Sequence, residues 1–229
     1  MMSNNLKKKI YEASKKHKEW SMVITDYLSR PIAYFIAKYT SITPNQISIS
    51  SFIIGLIGCY FLYIGGPLNI IIGASLAMLY NILDMIDGMI ARVKGKSSKV
   101  GHWLDGILGF ILTPLLIISL AIGIRSNIAL ILGLFAAVSY PIQYSLVYFY
   151  KAEVVSSNDK LFSSNSKLDW LRYSYGLCFF YLFLFIVALI NKPLWVLFFW
   201  AILGNMYWIC IVIIQYISLR KMDSVNRID

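Results

Sequence analysis

Charge is what this chain has least of. Charged residues make up 14% of its 229 positions, acidic residues number 11, and hydrophobic residues reach 59%. That balance excludes an ordinary soluble domain, in which about a quarter of residues carry charge. Cysteine is scarce as well. Cys59, Cys178 and Cys210 stand singly in apolar stretches, with no pair at metal-ligand spacing, so they read as buried inert thiols. No internal repeat or low-complexity array is present. About 45 residues and a basic region precede the first apolar run, which lacks a small-residue cleavage site. A removable signal peptide is therefore not expected.

What the chain does have is long apolar runs. Six of them, at about 47–65, 67–91, 101–123, 127–149, 171–190 and 193–217, have the length a helix needs to cross a hydrocarbon core of roughly 30 Å. The expected fold is all-α: one polytopic domain of six transmembrane helices over 47–218. An N-terminal cytoplasmic or interfacial segment, 1–46, comes before it and a short cytoplasmic tail, 219–229, follows. Residues 3–40 mix Lys with aromatics. Apolar positions 20, 23, 24, 27 and 28, then 32, 35, 36 and 39, recur at helical spacing on either side of Pro31. This pattern suits an amphipathic helix lying at the membrane interface.

Basic residues give the orientation. Nineteen of the 21 Lys and Arg lie before the first span, between spans two and three, between spans four and five, or in the tail. Only Arg125 and Lys192 lie on the other side. Six spans put both termini on the positive side, which should be the cytoplasm of a cell-membrane protein. The net charge of +10 is thus juxtamembrane and needs no nucleic acid to explain it. Local punctuation agrees with the spans. Thr43-Pro44-Asn45-Gln46 is a helix start, with Thr43 as cap, Pro44 in the first turn and Gln46 three residues on. Gly65-Gly66-Pro67 is a tight turn, and 151–170 a polar loop.

Three acidic residues break the rule of apolar spans. Asp84, Asp87 and Asp105 sit well inside runs long enough to cross a bilayer, where each carboxylate costs about 2.5–3.5 kcal/mol even on lenient scales. Asp84, Asp87 and Ala91 fall at i, i+3 and i+7, on one face near the end of the second span, and Asn81 lies one turn before. Asp105 lies one turn into the third span, beyond a short basic loop that makes the two spans antiparallel neighbours. Carboxylates converging in a low dielectric repel one another unless a cation sits between them. Oxygen ligands favour a hard divalent ion, Mg²⁺ or Mn²⁺, whose remaining positions go to water and substrate phosphates. Gly88, Ala91, Gly101 and Gly106 leave room beside the acids, and Arg92 and the Lys-rich loop offer cations to phosphates.

These residues resemble the signature of the CDP-alcohol phosphotransferases, D-x2-D-G-x2-A-R-x8-G-x3-D-x3-D. Asp84, Asp87, Gly88, Ala91, Arg92, Gly101 and Asp105 match it at the right spacings, seven of its eight positions. The resemblance implies a membrane transferase of phospholipid biosynthesis. It would move a phosphoalcohol group from a CDP-linked alcohol, such as CDP-diacylglycerol, to an acceptor hydroxyl and release CMP. It also implies metal binding by Asp84, Asp87 and Asp105, nucleotide contact by Gly88, Ala91, Arg92 and Gly101, and a homodimer.

The eighth position is Gly109. In the family a fourth aspartate stands there, taken as the base for the acceptor and a ligand of a second metal, and glycine can do neither. Three readings follow: a member that binds CDP-alcohol or lipid as a regulatory or partner subunit; a transferase whose base is another carboxylate, the acceptor's own phosphate or His102; or an altered residue. Tyr140, Pro141, Gln143 and Tyr144 put polar groups and a kink into the fourth span, where they line an acceptor cavity or pack between helices. A prenyltransferase would favour two acidic clusters and more spans. A transporter would leave the Ala91, Arg92 and Gly101 matches accidental.

Overall fold

A computed structural model describes residues 2–14, 20–154 and 176–225, and every regular element among them is helical. In chain order these are α1 (Met2–Ala13), α2 (Trp20–Tyr39), α3 (Pro44–Ile64), α4 (Pro67–Val93), α5 (Lys99–Gly123), α6 (Asn127–Phe149), α7 (Leu177–Leu189), α8 (Leu194–Phe199) and α9 (Asn205–Val225). A π-helical turn, Trp200–Gly204, joins α8 to α9, and another, Tyr150–Val154, follows α6. Five stretches are long and apolar enough to cross a membrane: α3, α4, α5, α6 and the rod Leu194–Arg220. Helix α7 is apolar but shorter. The start of the fifth sequence span, 171–175, and the loop expected over 151–170, apart from its first four residues, lie outside the described residues. The architecture is that of a polytopic all-α membrane protein.

The capping signals act as their chemistry requires. Thr43 and Gln46 form a reciprocal box: the Thr43 N–H donates to Gln46 Oε1 at 2.9 Å and the Gln46 N–H to Thr43 Oγ1 at 3.4 Å. This starts α3 at Pro44, three residues before the apolar run. Gly65 and Gly66, at φ 73° and 82°, turn the chain from α3 into α4 in a conformation other residues rarely adopt. Ser98 caps α5, its hydroxyl accepting from the Gly101 N–H at 3.0 Å.

The N-terminal segment folds as two helices rather than one. Pro31 stays inside α2, and the apolar positions read from the sequence, among them Trp20, Tyr27 and Phe35, are exposed apart from the half-buried Ile36. The opposite face, Ser21, Thr25, Asp26, Ser29 and Ala33, is buried. Small and polar side chains thus pack α2 against the bundle, and the apolar ones face outward, as lipid permits and water does not. Ser29 Oγ donates to the Ile82 carbonyl of α4 at 3.2 Å.

Helices α3 and α4 pack closely because Gly58 and Gly73 meet backbone to backbone: a Cβ on Gly58 would lie 3.1 Å from the Gly73 carbonyl oxygen. Helix α5 packs mainly on α3 and α6 and meets α4 only sparingly. The two helices that carry the signature are thus joined mainly through α3, which packs on both.

Candidate functional site

Asp84 and Asp87 of α4 and Asp105 of α5 come together at this end of the bundle. One carboxylate oxygen from each lies within 4.8 Å of the other two. Asp87 is buried, and Asp84 and Asp105 are half-buried. A divalent ion about 2.1 Å from each oxygen spans oxygens up to roughly 4 Å apart, so small side-chain rotations would close this triad on one ion. Three hard anionic donors with no paired cation between them fit Mg²⁺ or Mn²⁺ in both number and chemistry.

Ser48 of α3 holds Asp87 in place, its hydroxyl donating to Asp87 Oδ2 at 2.5 Å. Sequence reasoning missed it. The available signal was Ser48 and Ser51 at i and i+3 in an apolar span, a small polar face that marks a buried helix contact.

Among the other signature positions, Gly88 lies under the side chain of Arg92, whose Nη1 would be 3.3 Å from a Cβ at 88. Arg92 is exposed, and its Nε donates to the carbonyl of Ala13, at the end of α1, at 2.7 Å. Helix α1 thereby grips a signature residue 79 positions away. Ala91 is half-buried on the acid face. Gly101 faces Asn45 of α3, whose Oδ1 would lie 3.1 Å from a Cβ at 101. Gly109 is buried one turn past Asp105, and a Cβ there would lie 3.4 Å from the Tyr80 hydroxyl. His102 is exposed in the first turn of α5. In the basic loop, Lys94 Nζ donates to the Ile42 and Thr40 carbonyls at 3.0 and 3.3 Å, so it ties the loop to the start of α3.

Asn81 bridges helices. Its Nδ2 donates to Thr25 Oγ1 of α2 at 3.2 Å, and its Oδ1 accepts from Cys178 Sγ of α7 at 3.3 Å. In α6, Tyr140, Tyr144 and Tyr148 form a ladder of rings 5.4 and 5.1 Å apart, with Phe110 of α5 against the first two. Gln143 Oε1 is buried there without a hydrogen-bond partner.

A fourth buried acid also lay outside the sequence reading. Asp26 of α2 is 1% exposed and pairs with Arg30 one turn on, while Ser14 Oγ donates to Asp26 Oδ2 at 2.6 Å. The Arg30 guanidinium stacks over Tyr11 of α1, 4.7 Å from its ring centre. These contacts fasten α1 beside the acid cluster.

Comparison with known proteins gives a family. The profile of the CDP-alcohol phosphatidyltransferase family matches residues 41–213. The chain is 31% identical over 87 residues to a bifunctional IPC transferase and DIPP synthase of Aquifex aeolicus, a stretch covering 37% of this chain and 19% of that protein. It is 34% identical over 82 residues to an archaetidylinositol phosphate synthase of Pyrococcus horikoshii, covering 36% of this chain and 42% of that protein. The matched stretches thus span less than half the length of these relatives.

Proposed function

The chain belongs to the CDP-alcohol phosphatidyltransferase family, and on that premise we propose that it transfers a phosphoalcohol group from a CDP-linked alcohol to an acceptor hydroxyl in membrane phospholipid synthesis, releasing CMP. The observation that carries this reading is the convergence of Asp84, Asp87 and Asp105, from two helices, at the spacing of the family signature.

Asp84, Asp87 and Asp105 are the residues that would hold Mg²⁺ or Mn²⁺. Such an ion neutralises pyrophosphate charge and stabilises the charge that develops on the leaving phosphate. Gly88, Ala91 and Gly101 keep bulk low beside the acids, where the nucleotide would lie. Arg92 supplies a planar cation at its mouth, oriented by the Ala13 carbonyl. With glycine at 109, proton acceptance from the acceptor falls to the acid cluster itself, with Asp105 half-buried on α5 and His102 exposed in the first turn of the same helix.

The donor is a lipid-linked CDP-alcohol such as CDP-diacylglycerol, in keeping with a site built within membrane-spanning helices. Inositol phosphates head the panel of acceptors, because one relative's name states an inositol phosphate product. Residues 1–46 form the cytoplasmic and interfacial segment, 47–218 the transmembrane domain and 219–229 the tail. The site and both termini face the cytoplasm of the cell membrane, in keeping with the Lys and Arg asymmetry. The family resemblance supports a homodimer. Purified protein with Mn²⁺, CDP-diacylglycerol and an acceptor panel should release CMP, and a protein that releases none with any acceptor would sink the transferase reading.

A further inference from the structure

The last turn of α1 is held from two sides at adjacent residues. The final carbonyls of a helix have no partner further along it, and the negative end of the helix dipole sits there, so a cation is a favoured partner. Arg92 of α4 fills that role, its Nε donating to the Ala13 carbonyl at 2.7 Å. At the next residue, the Ser14 hydroxyl donates to Asp26 Oδ2 at 2.6 Å and accepts from Arg30 Nη2 at 3.0 Å, both on α2. The Ser14 N–H closes the turn on the Ile10 carbonyl at 3.0 Å. Ser14 thus belongs to the same hydrogen-bonded turn as the carbonyl that takes Arg92.

The anchor on α2 is firm. Asp26 is buried and pairs with Arg30, and the Arg30 guanidinium lies over Tyr11 of α1. One turn before Ser14, Ile10 is buried in a cluster with Ala33 of α2, Ile47 of α3, and Ile86, Met89 and Ile90 of α4. Burial therefore seats α1, and Ser14 fixes where its end lies. What Arg92 gains is an orientation. With Nε turned to Ala13, Nη1 and Nη2 lie over Gly88, 3.3 and 3.6 Å from where a Cβ would stand. A phosphate can take two such nitrogens through parallel charge-assisted bonds, and Gly88 directly follows Asp87 of the acid cluster.

We propose that Ser14 is a positioning residue for the donor's pyrophosphate: anchored by Asp26 and Arg30, it holds the Ala13 carbonyl on Arg92 Nε and so presents Arg92 Nη1 and Nη2 over Gly88. The proposal rests on the transferase reading for the nucleotide that Arg92 meets. Without the anchor, the Ala13 carbonyl is no longer held against Nε, and the exposed Arg92 side chain regains rotamer freedom that binding must then remove. The loss falls on the pyrophosphate-bearing substrate and passes only through Arg92. A merely structural role for Ser14 would act equally with or without the Arg92 guanidinium.

Equilibrium dialysis of radiolabelled CDP, with Mg²⁺, against the full-length protein in detergent tests this on wild type, S14A, R92A and S14A/R92A. Thermal unfolding verifies that each variant is folded. S14A should weaken CDP about fivefold, the scale of one net hydrogen bond. R92A should weaken it by itself, and S14A should add nothing to R92A. In turnover, S14A should raise the KM for CDP-diacylglycerol and leave kcat little changed. Should S14A fail to fold, D26A/R30A removes both partners of Ser14 together and should give the same loss, again absent in the R92A background. CDP affinity equal to wild type in S14A, or in D26A/R30A where that variant stands in, would overturn the proposal. So would an R92A variant that binds CDP like wild type, or a loss of the same size with and without Arg92. Those results leave the transferase reading standing. If wild type neither binds CDP nor releases CMP, that reading fails, and the proposal with it.

Discussion

Tyr80 of α4 and Gly109 of α5 face each other between the two signature helices, the phenol oxygen 3.4 Å from where a side chain at 109 would begin. That distance is an ordinary van der Waals contact, so a methyl group fits. Gly109→Ala should fold normally and, by removing backbone freedom from a helix interior, leave stability in detergent, read by thermal unfolding, unchanged or raised by up to about 1 kcal/mol. A large loss of stability would show that the space beside Tyr80 is smaller than described.

Ser48→Ala removes the hydroxyl that donates to Asp87 at 2.5 Å without touching the metal point itself. Mn²⁺ affinity should fall about tenfold while the fold is retained, since partners of ligating carboxylates act at that scale. Titration calorimetry reads this directly, and an unchanged affinity would remove Ser48 from the site.

Arg30→Ala removes the guanidinium paired with the buried Asp26 carboxylate. Breaking a buried ion pair costs about 3–5 kcal/mol when one charge stays behind, and the partly exposed Arg30 puts this case at the lower end, about 3. Thermal unfolding should drop accordingly. Replacing both partners, as in D26N/R30A, should recover much of the loss.

Deleting residues 1–14 takes away the Ala13 carbonyl that holds Arg92 Nε at 2.7 Å, together with Ser14. The transmembrane helices should remain assembled, because their contacts do not involve α1 beyond α2 and α4. The KM for the CDP-alcohol should rise several-fold with kcat little changed, the pattern of a lost ground-state binding contact. An unchanged KM would show that Arg92 does not depend on α1 for its orientation.

The acid cluster was legible in the sequence because it rests on local arithmetic. Asp84 and Asp87 share a face by helical period, and a short loop brings Asp105 back to the same end. The capping box at Thr43 and the turn at Gly65-Gly66 were legible for the same reason. What could not be read depends on which helices touch. Ser48 reaches Asp87 only because α3 packs tightly on α4 through Gly58 and Gly73. Asp26 stands in a segment of Lys and aromatics with nothing local to mark it as buried. Its burial follows from α2 turning its small polar face inward, the reverse of the amphipathic rule for water-soluble helices. Tyr80 likewise carries no local signal, because its place opposite Gly109 depends on how α5 packs.

Metal-dependent CMP release tests the account's central claim most directly. Purified wild-type protein, stripped with EDTA and given CDP-diacylglycerol and an inositol phosphate or another hydroxyl acceptor, should release CMP only after Mn²⁺ or Mg²⁺ is restored, and D105N should lose at least 100-fold of that rate. CMP release that persists in EDTA, or a D105N variant as active as wild type, would contradict a transferase built on the Asp84, Asp87 and Asp105 cluster.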